Sequence, residues 1–145
     1  MEFKKTVEGR AIDAFWRSRK KHKLRSRPEK IAQGLLAVFA KGVIGKKGLV
    51  LREIAVGIGF VDVGLSFGGV LHLIELKILA GHFTGVGQLS KYMQTEGRKS
   101  GWLVLIDIRR SREAPPVPVR TTTSAGTISI LMVDVNPTAP HAVKK

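Results

Sequence analysis

Residues 70–79, Val-Leu-His-Leu-Ile-Glu-Leu-Lys-Ile-Leu, are apolar enough to form an interior strand, yet carry Glu75 and Lys77 near their centre. A charge buried in a sheet is costly unless it is paired or bound to a metal, so any fold of this chain must bring partners to that strand. Side chains alternate along a strand, which puts Glu75 and Lys77 on one face. Gly68-Gly69 is a hairpin signal, and the turn lays residues 60–67 beside the Glu-x-Lys strand, with Asp62 brought alongside Glu75. Gly57 and Gly59 bracket a tight connection back to residues 49–56, a further strand that carries Glu53. The simplest reading is a three-stranded antiparallel meander in which Glu53, Asp62, Glu75 and Lys77 converge on one sheet face. Three carboxylates and an ammonium match what Mg²⁺ asks for, a few hard oxygen ligands with water completing an octahedron. The lysine would offset the remaining negative charge and hold a phosphate or a water. A Glu-x-Lys taken alone also reads as an ion pair at a sheet edge; the full set is harder to place on a surface by chance.

The remaining chain surrounds this meander. Residues 6–23 have helical spacing, with Val7, Ala11, Ala14 and Phe15 on one stripe, and residues 17–27 form a dense basic run. Arg17, Arg19, Lys20, Lys21, Lys23 and Arg25 in that run read either as a solvated helix face or as phosphate contacts. Pro28-Glu29 suits a first helical turn, and Ile31, Leu35, Val38 and Phe39 recur at helical spacing up to a stop at Gly42. Residues 45–48 read as a basic turn. Residues 84–96 form a third helix, capped by Thr84, stopped by Gly97, and apolar at Val86, Leu89 and Met93. Residues 102–108 are a nearly continuous apolar strand, so the third helix is a crossover. Residues 111–126, with three prolines and three consecutive threonines, read as an exposed loop. Residues 127–135 are a last strand, and 141–145 a frayed basic tail. The expected class is α/β, a mixed sheet flanked by helices in the order α-α-β-β-β-α-β-β. Residues 1–27 are expected as a basic N-terminal helix and 28–145 as the rest of one domain.

A chain of 145 residues buries about 68–70% of its unfolded surface, enough for one core and too little for a two-domain enzyme. Its 25 Lys and Arg against 11 Asp and Glu leave a net charge of +14, which asks for an anionic partner. The absence of cysteine excludes disulfide stapling and thiolate metal sites. The polar start lacks the apolar core of a secretory signal, and its acids argue against a transit peptide. No apolar stretch approaches the ~20 residues that cross a bilayer. The expectation is therefore a soluble, cytoplasmic (intracellular) protein with no membrane partner.

The stretches Gly59-Phe60-Val61-Asp62-Val63, Ile74-Glu75-Leu76-Lys77 and Gln88-Leu89-Ser90-Lys91-Tyr92 make this sequence resemble the PD-(D/E)xK nuclease superfamily, in particular its RecB-like branch. The resemblance covers roughly residues 28–109 and the last strand, and it implies a restriction-endonuclease-like sheet. Val61 stands where the nominal pattern has proline, which removes no ligand. The resemblance further implies a Mg-dependent deoxyribonuclease, with Mn²⁺ able to substitute. Asp62, Glu75 and the main-chain carbonyl of Leu76 would bind the ion, and Glu53 would be a direct or water-mediated ligand. Lys77 would orient the attacking water, and a second ion, if bound, would lie about 3.5–4 Å from the first. Gln88 would hydrogen-bond near the metal or the nucleic acid, supported by Tyr92. The two also read simply as a polar helix face with its tyrosine packed on the sheet. Lys91 would join the basic run in contacting DNA.

His22, His72, His82 and His141 form no H-x-x-x-H pair, so zinc is not expected; His72 alternates away from Glu75, and His82 lies within reach of the cleft. Gly57, Gly59 and Gly64 precede no helix, and there is neither a phosphate-loop lysine motif nor a nucleophilic-serine elbow. Three functions remain. The first is a DNA nuclease, including a branched-DNA (junction) endonuclease acting as a homodimer or a nuclease subunit serving a helicase or ATPase. The second is a catalytically silent nucleic-acid-binding module in a larger complex. The third is a basic RNA-associated or structural protein, which leaves the buried carboxylates unexplained.

Overall fold

The computed structural model describes residues 2–21, 23–56, 59–81, 84–109 and 119–136. The meander forms as expected: β3 (Gly48–Val56), β4 (Gly59–Phe67) and β5 (Val70–Leu79) are consecutive antiparallel strands. Gly68 and Gly69 both have positive φ, 59° and 75°, and Phe67 pairs with Val70 across them. That is the two-residue hairpin geometry that twisted strands favour and that glycine adopts without a Cβ clash. After β5 the chain crosses through α3 (Val86–Glu96) and returns as β6 (Ser100–Asp107), parallel to β5. Strand β8 (Thr127–Asp134) adds parallel to β6, and β7 (Arg120–Thr122) pairs antiparallel at its outer edge. The result is a mixed six-stranded sheet in the order β3-β4-β5-β6-β8-β7, flanked by helices, as the alternation of strand and helix patterns predicts.

Alternation along the inner strands sorts the core into two layers. Ile74, Leu76, Val104, Ile106 and Val133 face α1 (Glu2–Thr6), the turns that follow it, and α2 (Pro28–Ile44), where Phe3, Val7, Phe15, Ala32 and Leu36 meet them. Leu73, Leu79, Leu103, Leu105 and Ile128 face α3, packing on Leu89, Tyr92 and Met93. Glu75 and Lys77, in phase with Leu73 and Leu79, therefore belong to the α3 side.

Several expectations need correction. The first helix does not reach residue 23. Helical turns end at Phe15, and the basic run instead forms a small hairpin, β1 (Trp16–Ser18) paired with β2 (Lys23–Leu24). Trp16 ends the helix because its indole is drawn into the core, buried, with Nε1 donating to the Val135 carbonyl at 2.7 Å. Phe3, Val7, Ile12, Phe15 and Trp16 place the N-terminal segment in the core. Helix α2 runs through Gly42 to Ile44. A helical glycine costs only about 1 kcal/mol, and it is Gly45, at φ 58°, that turns the chain out. Thr84 does not cap α3. The cap position is Gly85 at φ 103°, where a Cβ would come within 3.0 Å of Lys77 Cγ and Leu103 Cδ1. Gly97 stops α3 as expected, with the Arg98 N–H returning to the Met93 carbonyl at 2.7 Å. Part of the expected 111–126 loop is strand β7, short enough that its proline- and threonine-rich surroundings hide it. The expected loop over 111–118, the basic tail, and His22, His82 and His141 lie outside the described residues. His72 packs on the face away from Glu75, stacked on Phe67 with ring centroids 4.6 Å apart.

Candidate active site

The local cause of the site is a break in β4 at Asp62. Val61 joins the α3-side core and Val63 the α2-side core, although residues two apart in a regular strand share a face. The β3–β4 ladder pairs Arg52 with Val63 and Ile54 with Val61, omitting Glu53 and Asp62 between them. On the other side the β4–β5 pairing reaches only Val63↔Ile74. Freed from the ladder, the Asp62 carboxylate crosses to β5, where its Oδ2 accepts the Leu76 N–H at 2.8 Å.

There it meets Glu75. Glu75 is 2% exposed, and its Oε2 has no hydrogen-bond partner. Burial, the hydrogen bond with Asp62 and the Asp62 charge push the Glu75 carboxyl up to about 9; Lys77 pulls the other way and Glu29 adds to the rise. Two carboxyl groups in contact must share a proton or a cation. Lys77 lies two residues on and on the same face, its stem held against the Cβ-less cap of α3. The predicted trio Asp62, Glu75 and Lys77 is thus brought together.

Gln88 and Tyr92 meet one another, Gln88 Nε2 donating to Tyr92 Oη at 2.7 Å. Tyr92 is buried and fits against β4 because Gly59 has no side chain: a Cβ there would stand 2.8 Å from the phenolic oxygen. This pair borders the same α3-side face. Glu53 is not brought to the carboxylates. Its backbone sits at φ 51° and its exposed carboxylate is ion-paired with Lys30. Among the described residues no group of three or more His, Asp or Glu side chains is arranged to hold an ion.

A cleft of about 340 Å³ opens beside Asp62, lined also by Arg27, Pro28, Glu29, Lys30, Gln33 and Ile78. The first turn of α2 supplies most of this wall. Glu29 is therefore a site residue that sequence reasoning took only for a helix starter, and no local signal marks it, because its role comes from where α2 begins relative to the strands. Of the predicted phosphate contacts, Arg17, Lys20, Lys21, Lys23 and Arg25 are exposed on or beside the small hairpin, Arg19 is ion-paired with Asp13 at 3.1 Å, and Lys91 is exposed on α3.

The fold and site define an α/β protein whose mixed sheet opens where half-buried Asp62 meets buried Glu75, with a neighbouring lysine. The chain belongs to the family described as a domain of unknown function, DUF8371, which matches residues 1–110 and so includes every residue of the site. No curated protein matches it in sequence. Among solved structures it is similar to Pyrococcus furiosus SfsA in complex with Ca²⁺, at 14% identity and a TM-score of 0.44, over 72% of this chain. The chain spans 57% of the length of that protein.

Proposed function

We propose that this chain is a metal-dependent nuclease of the PD-(D/E)xK type that hydrolyses phosphodiester bonds in DNA. The observation that carries the reading is the contact of half-buried Asp62 with buried Glu75, with Lys77 on the same face. A purely structural carboxyl pair would be expected to have its oxygens satisfied, whereas Glu75 Oε2 is buried without a partner. All-oxygen donors suit Mg²⁺ or Mn²⁺, so the residues fit the ion, with Asp62, Glu75 and the Leu76 carbonyl as its holders. Glu29, on the cleft wall, is placed to act through a water, and Glu53 would have to leave Lys30 to do so. A bound ion would lower the pKa of a water and neutralise charge developing on the phosphate.

The chain's own groups supply the rest. Lys77 offers a cation where an attacking water and a phosphate oxygen would lie, which favours the more negative transition state. Gln88, its amide held on Tyr92, offers hydrogen bonds at the rim. The exposed cations of the hairpin bind phosphates away from the cut and give affinity without base readout.

Glu53's engagement by Lys30 favours a second reading, a nuclease-fold module that grips nucleic acid without cutting it. The two readings separate in a cleavage assay on single-stranded, duplex and branched DNA with Mg²⁺ or Mn²⁺. Cutting of at least one substrate that falls about 100-fold or more in Lys77→Ala supports the nuclease. Binding without cutting under every metal favours the module.

A further inference from the structure

The break that frees the Asp62 carboxylate also takes the Asp62 main chain out of the sheet pairing on both sides, so something other than the sheet must hold it. Gln33 does so. This α2 side chain is 2% exposed, and its Nε2 donates to the Asp62 carbonyl at 3.1 Å. Its Oε1 accepts from Arg52 twice, from Nε at 3.2 Å and from Nη2 at 2.9 Å. Arginine remains charged and offers only donors, so it fixes the oxygen end of the amide on β3 and turns the donating end toward Asp62. Gly34, one residue on, presents no side chain to the guanidinium, which lies 4.0 Å from where a Cβ would stand. Three elements are thereby tied at one point: α2 through Gln33, β3 through Arg52, and β4 through Asp62. The tie sits on the wall of the cleft, which Gln33 and Asp62 both line.

We propose that Gln33 is a positioning residue for divalent-ion binding: oriented by Arg52, its amide holds the Asp62 main chain in the off-ladder conformation that delivers the carboxylate to Glu75. The inference rests on the reading above, that this carboxylate pair holds Mg²⁺ or Mn²⁺. Gln33 does not touch the ion. It acts through the backbone of a residue that does, and groups in such a role typically account for about 10- to 100-fold in metal affinity.

The discriminating variant is Gln33→Glu. A glutamate keeps the side-chain length and strengthens the acceptor facing Arg52, but has no N–H for the Asp62 carbonyl. Its added negative charge would by itself tighten cation binding, so a loss of affinity cannot come from simple electrostatics. Mn²⁺ binding to the full chain is read from the disappearance of the free-ion electron paramagnetic resonance signal, with a metal-free thermal melt on each variant to verify folding. Expected is a folded Gln33→Glu protein whose Mn²⁺ affinity is about 10- to 100-fold weaker than wild type. Should Gln33→Glu not fold, Arg52→Gln, altered at a surface side chain, carries the same prediction in a weaker form, because the amide loses the cation that orients it. Wild-type affinity in whichever of these variants folds overturns the inference and leaves the nuclease reading standing. Wild-type protein showing no Mn²⁺ binding that Asp62→Asn removes overturns both.

Discussion

Glu75 combines near-complete burial, a second carboxylate in contact and an oxygen with no partner. Its raised pKa makes the energetic sign unambiguous. An unfolded glutamate releases its proton near 4.5, whereas the folded one holds it to about 9. Between those values the native state binds the extra proton, so the contribution to stability is fully present below pH 4.5 and is lost as pH rises through about 9. Metal-free protein should melt at progressively lower temperature from pH 5 to pH 9. Glu75→Gln, which is neutral at every pH, should melt higher than wild type at pH 8 and show a flatter profile. Adding Mg²⁺ should raise the wild-type melting temperature more at pH 8 than at pH 6, because the ion must displace the shared proton, and should leave Glu75→Gln nearly unmoved. Melts that rise with pH in the metal-free protein would contradict the account of this pair.

At the scale of elements, the fit of α3 onto the meander depends on glycines at Gly59 and Gly85. Gly59→Ala should push Tyr92 off β4, destabilise the chain by about 1–3 kcal/mol in denaturant melts and disturb the Gln88 hydrogen bond. An unchanged midpoint would mean that Tyr92 has room to spare. The meander, α3 and the shared face of Glu75 and Lys77 were legible in the sequence from period-two alternation, and the Gly68-Gly69 turn made Asp62 legible as a neighbour of Glu75, but the break in β4 that frees its carboxylate was not. The basic hairpin was not: residues 6–23 space their apolar positions like a helix, and only the burial of Trp16, a tertiary effect, ends that helix at Phe15. Glu53 was misplaced for a related reason. Alternation puts it opposite Asp62, but both residues leave the ladder there, and Lys30 of α2 takes its carboxylate. Glu29 and Gln33 were unreadable as site residues, since each matters through the contact of one helix end with a broken strand, which no local pattern encodes.

At the scale of the whole molecule, the net charge is +14. Asp62, in contact with Glu75, lines the cleft together with Arg27 and Lys30, while Arg17, Lys20, Lys21, Lys23 and Arg25 are exposed on or beside the small hairpin. Under the proposed function, DNA affinity should fall steeply with salt. Neutralising Lys20, Lys21 and Lys23 together should weaken binding across sequences alike and flatten the logarithmic salt slope by about one unit for each phosphate left without its cation. A slope equal to wild type would place the binding surface elsewhere. Among the described residues no helix is long and apolar enough to cross a membrane. Under the proposed function, the basic chain holds DNA over a cutting site built on Asp62 and Glu75. The most direct test is single-turnover cleavage of end-labelled duplex and branched DNA by wild type and Asp62→Asn, purified identically, in Mg²⁺ and in EDTA. A nuclease built on this pair should cut as wild type in Mg²⁺, not cut in EDTA, and lose about 100-fold or more in Asp62→Asn while DNA binding persists. Cutting that continues in EDTA, or that Asp62→Asn retains at the wild-type rate, would contradict it.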